Sequence, residues 1–254
     1  MKAIILTAGM GGRLGEIGKQ IPKCLIKIGK KTIIEYQIEA LKLNNISDIS
    51  IVIGYHADKV KEALKNKNIK FYLNKDYKET GMLESLFCAK EELNDDAIIL
   101  YGDVVFKADL IKRLLEDKND FCLVVDREKE IMPESQEALE EYHGEKIRKG
   151  STKVNIVDGV VRNISKSLPQ EETSAEYIGI AKFSKKAIDT TYKRIEELIN
   201  TGEIKKYPSP SYLFKWLIDN GNNIYVVYTD NLLYGEIDYV EDLEKAREKF
   251  SLEK

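Results

Sequence analysis

The sequence predicts an α/β protein: a mostly parallel, mixed sheet flanked by helices, with a small β excursion inserted in its second half. Three observations carry that expectation. Short runs that are apolar at nearly every position (Ala3–Leu6, 49–54, 97–101 and 121–125) alternate with stretches of helical period. Such runs suit strands buried on both faces, and helices between them supply the right-handed crossovers of a parallel sheet. With 254 residues, 43% of them hydrophobic, the chain can bury such a sheet within a single domain spanning 1–254.

Each element has its own warrant. Ala3–Leu6 is a buried strand that leaves into a glycine-rich loop. Thr32 and Glu35 have the spacing of a capping box, and Ile34, Ile38 and Leu41 repeat on one face of the helix behind it. "ISIVIG" (49–54) is a strand, "ADKVKEALKNK" (57–67) its return helix and "IKFYL" (69–73) the next strand. Met82, Leu86, Ala89 and Leu93 stripe a helix over 82–93, and a further helix separates the strands at 97–101 and 121–125. Residues 127–150 are almost wholly polar and read as an exposed excursion or a lid. "KVNIV" and "VVRNI" flank Asp158-Gly159, which predicts a hairpin with a type I′ turn. The rest reads as a strand (176–183), helices (185–200 and 209–220), a strand (223–229) and a closing helix (240–250).

Bulk properties exclude several classes. Net charge is −3 with no basic block, so no nucleic-acid partner is expected. No apolar run approaches the ~20 residues of a membrane span, and "MKAIILTAG" lacks the makeup of a signal peptide. Cys24, Cys88 and Cys122 lie far apart without zinc-ligand spacing, which fits a reducing, cytoplasmic setting. His56 and His143 have no Cys or His near them in sequence, so a solvated or core role is expected for each.

The glycine-rich stretch, "LTAGMGGRLGEIGKQIPKCL", sets Gly9, Gly11, Gly12, Gly15 and Gly18 around Arg13 and ends near Pro22-Lys23. It is neither of two familiar phosphate loops. Lys19 and Lys30 are followed by Gln20 and Lys31 rather than Ser or Thr, and Leu14 stands where GxGxxG needs its last glycine. What remains is GxGxR after a strand. Glycines there let the backbone approach a ligand and aim successive N–H groups at phosphate oxygens. Arg13 would add a fork of donors and Lys23 a compact charge, although a surface loop with scattered cations has the same composition. The acidic counterpart is "LYGDVVF", which puts Asp103 past the carboxyl end of a strand, the edge where open α/β sheets bind ligands. A turn or cap role is the alternative for Asp103. "GEIDYVEDL" places Asp238 after a strand-like piece, and Asp238 with Glu241 also has capping-box spacing.

Taken in order, "LTAGMGGRLG", "PKCL", Gly102-Asp103 and "EID" before a final amphipathic helix resemble the nucleotidyltransferases that activate phosphorylated small molecules. The resemblance runs through nearly the whole chain. "YLNKDYKETGMLESLFCAKEELNDDAIILYGDVVF", "EYIGIAKFS" and "YGEIDYVEDLEKA" are most similar to cytidylyltransferases acting on phosphocholine and on phosphonates such as 2-aminoethylphosphonate. This resemblance implies the Rossmann-like nucleotidyltransferase fold, with 127–165 contributing to the acceptor side. It also implies Mg²⁺-dependent transfer of CMP from CTP to a small phosphate or phosphonate monoester, with release of pyrophosphate.

By the same resemblance, Leu6, Ala8 and Gly9 would hold base and ribose, with Gly81 and Ser85 closing the base pocket. Gly11, Gly12 and Arg13 would cradle the β- and γ-phosphates, and Lys23 would sit at the α-phosphate. Asp103 and Asp238 would hold Mg²⁺ beside the nucleotide. Lys166 would reach the acceptor phosphate, its alternative being a surface cation, and Asp126, Glu176 and Tyr234 would face a cationic acceptor group. Tyr234 stands where the subgroup often has Trp, and Trp216 falls on a helix where core packing is expected. Two other readings stay open. One is a sugar-1-phosphate or cyclitol-phosphate nucleotidyltransferase, which would read hydroxyls. The other is a regulatory nucleotide binder without chemistry, which has no need of Arg13, Lys23, Asp103 and Asp238 together.

Overall fold

The structure, a computed structural model, describes residues 1–128, 139–142, 145–148, 151–206 and 209–251. The first half runs β1 (Lys2–Leu6), α1 (Gly15–Gln20), β2 (Lys27–Ile28), β3 (Lys31–Thr32), α2 (Ile33–Leu43), β4 (Ile49–Ile53), α3 (Ala57–Ala63) and β5 (Lys70–Leu73). It continues through α4 (Met82–Cys88), β6 (Ala97–Tyr101), β7 (Val104–Phe106), α5 (Ala108–Glu116) and β8 (Phe121–Asp126). The second half has β9 (Leu139–Tyr142), β10 (Glu145–Arg148), β11 (Thr152–Val157), β12 (Val160–Ser165), β13 (Ala175–Phe183) and α6 (Lys185–Asn200). It closes with α7 (Pro210–Asp219), β14 (Tyr225–Tyr228), β15 (Tyr234–Glu236) and α8 (Val240–Ser251).

β6, β1, β4 and β5 pair side by side in parallel. Ile4, Ile5, Ile51, Ile53, Ile98 and Leu100 are fully buried there, which explains strands that are apolar at successive positions. β8 runs in the same direction as β6, as a mostly parallel mixed sheet requires, but it does not pair with it. β13 lies between β6 and β8 and runs antiparallel to both, while β14 pairs with β8 in parallel. A strand buried on both faces is apolar whichever strand it pairs with, so its neighbours were not written in the run itself. β11 pairs with both β12 and β13, and the pairings close a ring through β8, β13, β11, β12 and β14.

Local signals were realised where the backbone chemistry is self-contained. Thr32 N–H donates to Glu35 Oε2 at 2.8 Å and Glu35 N–H to Thr32 Oγ1 at 3.3 Å, which is the capping box. Asp158 (φ 54°) and Gly159 (φ 74°) are both left-handed, as a type I′ turn requires. α3 and α4 stop at Ala63 and Cys88, short of the expected ends at 67 and 93, and a 3₁₀ turn over Lys90–Glu92 replaces the end of the latter. Of the excursion at 127–150, the β9 and β10 backbones pair antiparallel, and most of the rest, His143 included, lies outside the described residues. No helix among the described residues is long and apolar enough to cross a membrane.

Candidate active site

β1 ends mid-sheet between β4 and β6, so the loop that follows it opens at their carboxyl edge. Neighbouring chain passes very close to it. A Cβ on Gly54 would lie 2.9 Å from Ala8 O, and one on Gly102 would lie 2.8 Å from Leu6 O. Gly11 adopts φ 63° at the start of a 3₁₀ turn over Gly12–Leu14. Leu6, Ala8, Gly9, Gly11, Gly12, Arg13, Lys23, Ser85, Asp103 and Asp238 line one cavity of about 280 Å³. Of the expected nucleotide set only Gly81 is outside that lining; it is next to it, accepting from Ser85 Oγ at 3.1 Å. Thr7, Met82, Tyr101 and Gly102 also line the cavity, and only their nearness to the motifs in sequence could have suggested them.

Two cations and two carboxylates meet at one end. Lys23 Nζ lies 3.2 Å from Asp103 Oδ2 and 2.5 Å from Asp238 Oδ1, and Arg13 Nη1 lies 3.0 Å from Asp238 Oδ2. Burial alone would lower the Lys23 pKa, but the two carboxylates outweigh it and the net shift is upward. Burial would likewise raise Asp238, yet Lys23, Arg13 and Lys166 hold its carboxyl below the ordinary aspartate value. Asp103 Oδ1 is buried without a hydrogen-bond partner. A buried, unsatisfied carboxylate oxygen beside a second carboxylate fits a hard divalent cation, which takes one or two carboxylates and completes its shell with phosphate and water.

The capping box between Asp238 and Glu241 is corrected. Asp242 Oδ2 accepts from the N–H of Asp238 at 3.1 Å and of Tyr239 at 2.8 Å, so Asp242 caps α8. The helix starts one residue later than that spacing assumed, and the Asp238 carboxylate is left to the charged cluster.

A second cavity, of about 1280 Å³, adjoins the first, and Arg13 and Asp238 line both. Asp126, Glu176 and Tyr234 are in its wall, with Glu128, Glu236 and Tyr239. Asp126 on β8 lies directly opposite Glu176 on β13, which lies directly opposite Lys153 on β11. Opposed residues share a face of the sheet. Their neighbours Val125, Tyr177 and Val154 build the core on the other face, and the three charged residues themselves are 9%, 2% and 1% exposed. Tyr234 is carried by β15, which pairs with β7 just after Asp103, and its hydroxyl donates to Asp126 Oδ2. Burial, then that hydrogen bond, raise the Tyr234 pKa. Lys166 follows β12 and is near enough for its charge to lower the pKa of Asp238. Lys153 was missed, because in sequence it is only a polar position in a hairpin strand. Trp216 packs beside the core with Arg194 over its ring at 5.1 Å, away from both linings.

An α/β sheet offering one pocket at its central strand's carboxyl edge, and a second opening onto the same charged groups, suits transfer between two phosphate-bearing substrates. The protein is a nucleotidyltransferase. Residues 3–154 match the family model of the MobA-like NTP transferase domain, and the chain belongs to that family. The CTP:phosphoglutamine cytidylyltransferase of Campylobacter jejuni is 33% identical across 98% of this chain and 100% of its own length. The choline-phosphate cytidylyltransferase of Streptococcus pneumoniae is 37% identical over 42% of this chain and 47% of its own. The solved structure of an inositol-1-phosphate CTP transferase from T. maritima shares the fold, with a TM-score of 0.77 at 21% identity over 98% of this chain and 94% of that one.

Proposed function

We propose that the protein transfers CMP from CTP to a small phosphate or phosphonate monoester bearing a cationic nitrogen, releasing pyrophosphate with Mg²⁺ as cofactor. The observation that carries this reading is the carboxylate pair Asp126 and Glu176, beside Tyr234, in a pocket that opens onto Arg13 and Asp238 of the other cavity. A carboxylate facing a desolvated ammonium outweighs a neutral hydrogen bond, and a tyrosine face adds cation–π attraction. Relatives named for phosphoglutamine and choline-phosphate, both nitrogen-containing, support the acceptor class, and their common cytidylyl chemistry supports CTP.

In this reading an acceptor phosphoryl oxygen attacks the α-phosphorus of CTP in line, and the bond to the pyrophosphate oxygen breaks. Positioning and charge neutralisation do the catalysis, since the acceptor oxygen is already ionised near neutral pH. Leu6, Ala8, Gly9, Gly81 and Ser85 hold the nucleoside. Gly11, Gly12 and Arg13 bind the β- and γ-phosphates, Lys23 offsets charge growing at the α-phosphate, and Lys166 holds the acceptor phosphate. Asp103 and Asp238 would hold Mg²⁺, which would neutralise phosphate charge. The chain acts as one cytoplasmic domain, with 127–165 on its acceptor side.

The test is pyrophosphate release with each NTP against phosphocholine, 2-aminoethylphosphonate, glucose 1-phosphate and inositol phosphate. CTP with an aminated acceptor is expected to turn over fastest, and Glu176→Gln is expected to erode that preference more than it erodes CTP binding. Faster turnover of a sugar or cyclitol phosphate would overturn the acceptor assignment.

A further inference from the structure

We infer that Gly18 is a positioning residue for Lys23, acting through Gly11, and that Tyr55, His56 and Lys59 anchor the short helix that carries it. A Cβ on Gly18 would sit 2.2 Å from the carbonyl oxygen of Gly11 and 3.1 Å from its carbonyl carbon. Gly11 stands in the same relation to the lysine, because its own missing Cβ would sit 2.8 Å from Lys23 Cγ. Two bare Cα positions therefore stack helix, loop and lysine stem in direct contact. At the far end of that stack the Lys23 ammonium reaches Asp103 and Asp238.

The helix does not stand on its own propensity. α1 has 6 residues and includes Gly15 and Gly18, too short and too glycine-rich to persist unaided. Its carbonyl end is held from outside. Tyr55 OH donates to Lys19 O at 2.9 Å, Lys59 Nζ donates to Gln20 O at 2.6 Å, and His56 Nε2 lies 3.1 Å from Lys19 O. His56 takes φ 49°, a left-handed conformation that costs a non-glycine residue energy and persists only where its surroundings impose it. Tyr55 N–H also donates to Ala8 O at 3.0 Å, so the same segment fixes the start of the loop. The loop is thus held at both ends by residues 55–59, with Gly18 pressing its middle toward the lysine.

The inference rests on the proposed role of Lys23 at the α-phosphate. Gly18→Ala must open the 2.2 Å approach to at least 3.4 Å to reach ordinary contact, and a misplacement of about 1 Å can cost about 10²-fold in rate. The expected loss in kcat is about 10- to 100-fold, with a smaller change in KM for CTP. Tyr55→Phe removes one anchor without inserting an atom and is expected to lower kcat by about 2- to 5-fold. The deciding measurement is a double-mutant cycle with Lys23→Ala, in which each change should cost less than about 2-fold once the lysine is gone. Losses that multiply fully in the Lys23→Ala background would overturn the positioning role, as would unchanged kcat in a folded Gly18→Ala. Where Gly18→Ala fails to fold by circular dichroism, Tyr55→Phe decides the cycle alone. Wild-type kcat in Lys23→Ala itself would overturn the assigned role of the lysine, a separate outcome from a failed cycle.

Discussion

Asp238 and Asp242 are four residues apart, and the structure gives them opposite duties, so substituting each in turn tests the site. The Asp238 carboxylate is 30% exposed and touches Lys23 and Arg13, while Asp242 takes the two N–H groups that open α8. Asp238→Asn keeps the shape but removes one of two charged ligands proposed for Mg²⁺, so kcat should fall by about 10²-fold or more. Its stability cost should be small, under about 1 kcal/mol once solvent screening is allowed for. The sign of its pH dependence follows from a folded pKa held below the ordinary aspartate value. The stabilisation Asp238 gives is present above the unfolded pKa and is lost as pH falls through the lowered one, so the variant should lose that acid-side slope. Asp242→Ala should do the reverse, costing about 1 kcal/mol as a lost cap and leaving kcat within about 2-fold. For a chain of this size that is a Tm shift of about 2–4 °C. Pyrophosphate release and thermal unfolding of both variants provide the assay. Near-normal kcat with a lowered Tm in Asp238→Asn, beside an unaffected Asp242→Ala, would refute the division of duties.

Two further outcomes are expected. Lys23→Ala should lower kcat by about 10²-fold while disturbing KM for CTP less, because charge at the α-phosphate grows in the transition state; steady-state kinetics showing only a raised KM would make the lysine a binding residue alone. Glu92, only 4% exposed, accepts from Lys2 Nζ at 2.7 Å and Tyr72 OH at 2.6 Å, and despite its burial these contacts, with Lys70, hold its carboxyl down at about 2. Glu92→Gln should therefore cost about 2–3 kcal/mol at pH 7 with kcat unchanged, and calorimetry should show the deficit vanishing as pH falls from about 4 toward 2; equal Tm values at neutral pH would refute it.

How much of this could be read in the chain depended on the range of the interactions. The Thr32–Glu35 box and the Asp158-Gly159 turn are settled within a few residues, and both formed as expected. The neighbour of β8 was unreadable, because the antiparallel β13 that separates it from β6 comes from some fifty residues later. α1 was unreadable for a different reason: Gly15 and Gly18 argue against a helix, and the bonds from Tyr55 and Lys59 to its carbonyl end come from residues far along the chain. Asp238 was ambiguous because cap and ligand spacings overlap, and a one-residue difference in the start of α8 decides between them. Asp126, Glu176 and Tyr234 were approached only through resemblance. Their meeting depends on strand register and on the β7–β15 pairing, neither of which leaves a local mark.

The distribution of these residues along the chain bears on how far the family match carries. Leu6 through Asp103, the whole early part of the smaller cavity, falls within the matched span of 3–154. Lys166, Glu176 and Tyr234 fall beyond it, and of the proposed acceptor residues only Asp126 lies inside. Family membership therefore bears on the cavity proposed for the nucleotide, and the proposed acceptor residues past 154 draw on similarity that continues beyond that span. The C. jejuni relative, matched over 98% of this chain, supplies such similarity; the S. pneumoniae relative, at 42%, cannot cover both halves. Asp238 is the exception that joins the two. It lies far past the matched span, yet it lines both cavities and holds Lys23 and Arg13 from the early loop. A change in the β15–α8 region that moves Asp238 should thus disturb nucleotide and acceptor kinetics together, whereas a change at Glu176 should reach the acceptor alone.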